Sequence, residues 1–225
     1  MVLAERWPDA ELTGLDSSAE MIEAARQAHP EHRWVPDDIA QWAQRDSGQY
    51  DVVLSNAALQ WVPDHAAVYP RLLTHAAPGG ALAVQVPSAF DSPAHRILRE
   101  MTASAGWRHW FPTGRVATWH SHEPAFYYDL LTPLAARVDL WETEYLHVLP
   151  DAGAILDWYK GTGMRPYLEA IRTEADRERF TAEYLEGLRT AYRPRPNGRV
   201  LFPFRRIFAI AQPPAGDIKS AAPDG

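Results

Sequence analysis

The chain contains no cysteine, which excludes disulfides, thiolate metal sites and a thiol nucleophile and is compatible with a reducing cytoplasm. It also lacks any basic run: 22 Lys and Arg stand against 29 Asp and Glu, a formal net charge of −7 that argues against a nucleic-acid-binding surface. No apolar stretch approaches the ~20 residues needed to cross a bilayer, so no membrane partner is expected. The opening MVLAERWPDA carries Glu5, Arg6 and Pro8 where a leader peptide needs an apolar core. Glycine is missing from the first thirteen residues, and no internal repeat is found. What remains is an ordinary globular composition. The 225 residues are 46% hydrophobic and 23% charged, enough for one large domain or a domain with a substantial insertion.

Apolar runs alternate with helical patterns. Leu12 to Leu15 reads as a strand ending in Asp16, and Ser17 with Glu20 forms a capping-box signature opening a helix, with Met21, Ala24, Ala25 and Ala28 at helical spacing. HRWVPDDIAQW (32–42) is a short strand ending in Asp37 and Asp38, and YDVVLSNAALQWV (50–62) a buried strand followed by a polar turn. GGALAVQVP (79–87) is a further strand, after a helix stopped by Pro78 and the Gly79-Gly80 pair. Continuous apolar runs rather than strict alternation predict a parallel sheet covered on both faces. Residues 91–122 and 151–192 read as helical insertions, the second carrying Phe180, Tyr184, Leu188 and Ala191 on one face. PAFYYDLL (124–131) is a helix, ARVDLWETEYLHVL (136–149) a long alternating strand, and RVLFPFRRIFAIA the last strand. The domain is expected over 1–212, with 213–225 a disordered tail.

Asp16, Asp37-Asp38 and Ser55-Asn56 thus stand at the carboxyl ends of strands, where open parallel sheets bind ligands. Two of these acids have a plainer reading. Asp16 can be an acid at a helix start and Asp38 a helix cap.

In RWPDAELTGLDSSAEMI, DVVLSNAALQWVPDH, GGALAVQVP, YYDLL, VDLWETEYLH and FPFRR the chain resembles the class I S-adenosylmethionine-dependent methyltransferases, and within them the trans-aconitate methyltransferase family. The resemblance runs from residue 5 to about 212. It implies a doubly wound, mostly parallel Rossmann-like α/β fold and S-adenosylmethionine as methyl donor. Asp16, with Ser17 beside it, would hold the ribose hydroxyls; Asp38 and the Ile39 backbone would read the adenine; Asn56 would lie beside the methionine part. One departure matters. The family's glycine-rich loop follows a first strand and precedes the ribose acid by ~20 residues, whereas only fifteen residues precede Asp16 and the first glycine is Gly14. The expectation is a shortened domain, lacking that strand and loop, with two ladder edges open in mid-sheet and poor stability.

Methyl transfer to a carboxylate is an in-line displacement that needs positioning rather than a strong base. A small polycarboxylate acceptor needs donors for its other acid groups, a task suited to Arg forks and Tyr hydroxyls. Candidates are Tyr127, Tyr128, Arg165, His147, Arg205 and Arg206, with Trp61 and His65 as possible pocket walls. Each has an ordinary structural alternative as a core aromatic or solvated charge. His109, His120 and His122 lack metal-ligand spacing, and no metal is assigned. The resemblance therefore implies a carboxyl O-methyltransferase acting on trans-aconitate or a similar polycarboxylate. The alternatives are a malonyl carrier-protein O-methyltransferase and a catalytically silent methyltransferase-like binding protein.

Overall fold

The computed structural model describes residues 2–45, 48–88, 91–112 and 120–215. From the amino end the chain runs α1 (Val2–Arg6), β1 (Thr13–Asp16), α2 (Ala19–Ala28), β2 (Arg33–Pro36), α3 (Ile39–Trp42) and β3 (Tyr50–Asn56). A 3-10 turn at Leu59–Trp61 leads to α4 (His65–Thr74), β4 (Ala76–Pro87), α5 (Pro93–Ala103) and α6 (Pro124–Leu131). Then follow β5 (Arg137–Leu149), α7 (Ala152–Lys160), α8 (Arg165–Ala170), α9 (Glu174–Ala191) and β6 (Val200–Gln212).

The expected α/β, Rossmann-like architecture is present. β1 pairs with β2 in parallel, and a second sheet has the order β3-β4-β6-β5, parallel at β3–β4 and antiparallel on both sides of β6. Among the described residues no ladder joins β1 to β3, so each keeps one unpaired edge, and Val52 and Leu54 of β3 are 43% and 49% exposed. The ladder edges expected to stand open are those of β1 and β3, each at the edge of its own sheet. Within β1, Gly14 lies opposite Trp34, whose ring occupies the space of a side chain: a Cβ on Gly14 would come within 2.1 Å of it.

Two local expectations need correction. Ser18, not Ser17, caps α2, its hydroxyl accepting from Met21 N at 3.3 Å; Asp16 Oδ1 accepts from Ser18 N at 2.8 Å, which turns the chain one residue later. β4 begins at Ala76, ahead of the glycine pair, because the glycines are built into the strand rather than stopping a helix. Gly79 has φ +81°, and a Cβ on Gly80 would meet Asp51 O at 2.6 Å, so only glycine allows this approach beside the register shift between Tyr50 and Val52.

Side-chain alternation along β6 organises the interior. Val200, Phe202 and Phe204 enter one core with Leu98 of α5, Ile155 and Tyr159 of α7, and Phe180, Tyr184 and Leu188 of α9. Ile207, Ala209 and Ala211 point to the opposite face, into a core with Leu72 of α4, Tyr127 and Leu131 of α6, and Leu82, Val84 and Val86 of β4. Each fully buried large side chain contributes about 1.5–3 kcal/mol. The two helical insertions thus share one core, α5 packing on α9. Residues 113–119 of the first insertion, and 216–225 of the expected tail, lie outside the described residues.

Candidate active site

The parity that buries Val84 and Val86 on one face of β4 turns Gln85 to the other, and the same alternation presents Arg206 and Phe208 from β6 and Tyr145 and His147 from β5. With Asn56 at the end of β3 these side chains line a cavity of about 280 Å³. It lies at the carboxyl ends of β3, β4 and β5, where open α/β sheets hold ligands.

Arg206 Nη1 donates to Gln85 Oε1 at 2.7 Å, and the guanidinium carbon stands 5.1 Å from the Phe204 ring centre and 5.6 Å from that of Tyr145. Gln85 is only 5% exposed, and its Nε2 has no hydrogen-bond partner among the described residues. His147 packs against Trp158 with ring centres 4.8 Å apart, and its Nε2 is likewise buried without a partner. Asn56 precedes Ala57, which adopts φ +54°, a left-handed conformation uncommon for a residue with a Cβ. Ala57 is held there by its N–H donating to Gln85 O at 2.9 Å and its carbonyl accepting from Gln60 Nε2 at 2.7 Å. Such strain at a strand end beside a cavity fixes where the Asn56 side chain emerges.

The acids expected on the cofactor side sit together. Asp37 N donates to Asp16 O at 3.0 Å, joining the ends of β1 and β2. Asp16 and Ser17 are exposed. Asp38 caps α3, accepting from Gln41 N at 3.0 Å, and Ile39 opens that helix. Asp37 accepts from Asp38 N at 2.9 Å and is paired with Arg45, so of the two acids Asp37 is the one neutralised.

Of the acceptor-side candidates, only His147 and Arg206 line the cavity with Asn56. Tyr127 is 1% exposed in the opposite core, where its hydroxyl lies 2.9 Å from His65 Nδ1 and accepts from His122 N at 3.0 Å. His65 is equally buried, and its other nitrogen lies 2.9 Å from Leu59 O; burial pushes its pKa down. Tyr128 and Trp61 are half-exposed and do not line the cavity. Arg165 donates to Glu169 Oε1 at 2.7 Å on the surface of α8, and Arg205 faces Glu142 at 3.9 Å. Neither arginine reaches the cavity, because α8 belongs to the helical insertion and position 205 has the opposite parity to 206 on β6. Gln85, Tyr145 and Phe208 went unrecognised in the sequence. Gln85 alone left a signal, a polar residue inside the apolar run ALAVQVP. Among the described residues no group of three or more His, Asp or Glu could hold a metal ion.

A methyltransferase-domain profile matches residues 1–82. Over 214 residues the chain is 45% identical to the trans-aconitate 2-methyltransferase of Azoarcus sp. (strain BH72), covering 93% of this chain and 81% of that relative. The chain belongs to the trans-aconitate 2-methyltransferase family. Its likeness to the family's member from Streptomyces avermitilis is also 45%, over 216 residues, covering 93% of this chain and 79% of that one. Solved structures agree on the fold. The YcgJ protein of Bacillus subtilis matches with a TM-score of 0.56 at 14% identity, over 92% of this chain and 83% of that one. A phosphoethanolamine N-methyltransferase from Haemonchus contortus matches with 0.50 at 11%, over 93% of this chain and 45% of that one.

Proposed function

We propose that the protein is an S-adenosylmethionine-dependent carboxyl O-methyltransferase that forms a methyl ester of trans-aconitate or a similar small polycarboxylate. The observation that carries this reading is the cavity of Asn56, Gln85, Tyr145, His147, Arg206 and Phe208, whose one formal charge is the cation of Arg206, in a chain of this family. The exposed carboxylate of Asp16 and the strand-end acid Asp38 suit the cofactor's hydroxyl and amino donors, so the residues present fit S-adenosylmethionine. When bound, it supplies an electrophilic methyl group on a sulfonium.

The acceptor carboxylate already carries the lone pair that forms the new O–CH3 bond, and the C–S bond breaks as the sulfonium leaves as a thioether. No proton has to be removed from the reacting oxygen. The protein's contribution is to hold that oxygen in line and to keep the acceptor from tumbling. Arg206 supplies a fixed cation for an acid group, and Tyr145 and Phe208 supply apolar walls for the carbon skeleton. Asn56, emerging from a strained turn, marks the side of the cavity from which the methyl group would come.

The test is transfer of labelled methyl from S-adenosylmethionine to a panel of tri-, di- and monocarboxylates, with the ester identified by mass spectrometry. Ester formation on trans-aconitate ahead of aromatic or fatty acids is expected. Transfer confined to carrier-protein thioesters, or to none of the panel, would overturn the reading.

A further inference from the structure

We infer that Gln85 and Arg206 form a carboxylate clamp that holds an acid group of the acceptor other than the one being methylated, and that this clamp sets the preference for polycarboxylates. The inference rests on the reading above and adds residues to it.

The clamp is assembled from two adjacent strands, β4 and β6. Arg206 is a pure donor, so the atom of Gln85 facing it is the amide oxygen, and the orientation of the amide is thereby fixed. Its Nε2 is then left as a buried donor with no acceptor among the described residues. Such a group is rare in folded proteins and costs about 1–3 kcal/mol while unpaired. His147 lines the same cavity from β5 with its Nε2 buried and unpartnered among the described residues, but it pairs with Phe202 where Gln85 pairs with Phe208, so it stands apart from the clamp. Arg206 completes the clamp, aligned by Gln85 and by the rings of Phe204 and Tyr145, with guanidinium N–H groups beyond the one given to Gln85.

The cavity thus sets a cation beside a buried amide donor that lacks a partner among the described residues, and no Asp or Glu is among the described residues lining it, although the chain as a whole carries −7. A carboxylate answers that pair: it accepts from several donors at once, so Gln85 Nε2 and the remaining guanidinium N–H groups of Arg206 can donate to it together. A neutral acceptor would leave the arginine unneutralised. Because Asn56 lines the same cavity at the end of β3, an acceptor with two or more acid groups can leave one in the clamp while another reaches towards that side. A monocarboxylate must forgo one of the two. Gln85 therefore acts twice, as the positioning residue for Arg206 and as a donor to the substrate.

The experiment compares wild-type protein with Gln85→Met, Arg206→Met and Arg206→Lys. It reads KM and kcat for trans-aconitate and for crotonate, a monocarboxylate of similar unsaturation. Calorimetric binding of trans-aconitate without methyl donor gives an activity-independent readout. Gln85→Met and Arg206→Met are expected to raise KM for trans-aconitate tenfold or more, with kcat within about threefold. The change in KM for crotonate should be smaller than that for trans-aconitate, and the Kd for S-adenosylmethionine should stay unchanged. Arg206→Lys should recover part of the loss, because it restores the charge without the fork. If Arg206→Met does not fold, Arg206→Lys and Gln85→Met carry the same comparison. Unchanged trans-aconitate KM and Kd in the folded variants would overturn the clamp while leaving the proposed function standing. A wild-type protein that esterifies no polycarboxylate would overturn both.

Discussion

Arg206 and Gln85 lie 121 positions apart in the chain and are joined by a 2.7 Å hydrogen bond between adjacent antiparallel strands. The bond ties the strand that ends the fold to the one that floors the cavity, and it consumes the only acceptor Gln85 has on its side chain.

The pair should be energetically coupled. Arg206→Met leaves buried Gln85 Oε1 without a donor and is expected to lower stability by about 1–3 kcal/mol. The Gln85→Met/Arg206→Met double variant should cost less than the sum of the singles, with a coupling of about 0.5–3 kcal/mol. Urea unfolding of the four proteins checks this, and strict additivity would contradict a single structural unit.

Asp16→Ala is expected to weaken S-adenosylmethionine binding by roughly tenfold or more, since hydrogen bonds to a charged group contribute about 1.5–3 kcal/mol each. Isothermal titration gives the dissociation constant. An unchanged value would remove Asp16 from the cofactor site and leave it as the acceptor for Ser18 N.

Tyr127→Phe tests whether that residue is part of the core alone. Since Leu59 O only accepts, His65 donates through Nε2, so its Nδ1 accepts from the Tyr127 hydroxyl, which in turn accepts from His122 N. Removing the hydroxyl strands both groups and should cost about 1–3 kcal/mol of stability. KM for trans-aconitate should not change; a rise in KM without a stability loss would return Tyr127 to the acceptor site.

Acid should destabilise the protein through His95. Burial, with a smaller contribution from the positive charge of Arg99, pushes its pKa down to about 4 from 6.5. The unfolded chain therefore takes up a proton in a range where the folded one does not. The stability contributed by neutral His95 is complete above pH 6.5 and is lost as the pH falls towards about 4, by an amount on the order of 3 kcal/mol. His65, lowered chiefly by burial, acts in the same direction. Thermal melts between pH 4 and 8 should show a steeper acid loss in the wild type than in His95→Gln, and parallel curves would refute the assignment.

The open edges of β1 and β3, with Val52 and Leu54 exposed, predict self-association of residues 1–225 and a low unfolding temperature. Sedimentation velocity should show species that grow with concentration, and Leu54→Lys should reduce them by placing a charge on the exposed strand. A monomer at all concentrations with a cooperative transition well above room temperature would show that the open ladder is harmless.

The local elements were legible in the sequence because local chemistry makes them. The apolar run before Asp16 forms β1, the Pro124 start gives α6 its first turn, and the spacing of Phe180, Tyr184 and Leu188 gives α9 its buried face. The family segments likewise carried Asp16, Asp38 and Asn56 to strand ends. Tertiary structure alone decided which side chains share a cavity, because the face a strand residue occupies depends on what packs against each side of the sheet. Arg205 and Arg206 are adjacent in sequence, yet one faces Glu142 and the other Gln85. Tyr127 and His147 were equal candidates, until α6 packed against one face and β5 lined the cavity on the other. The strain at Ala57 and the unpaired amide of Gln85 likewise arise from contacts between distant strands, which no local pattern encodes.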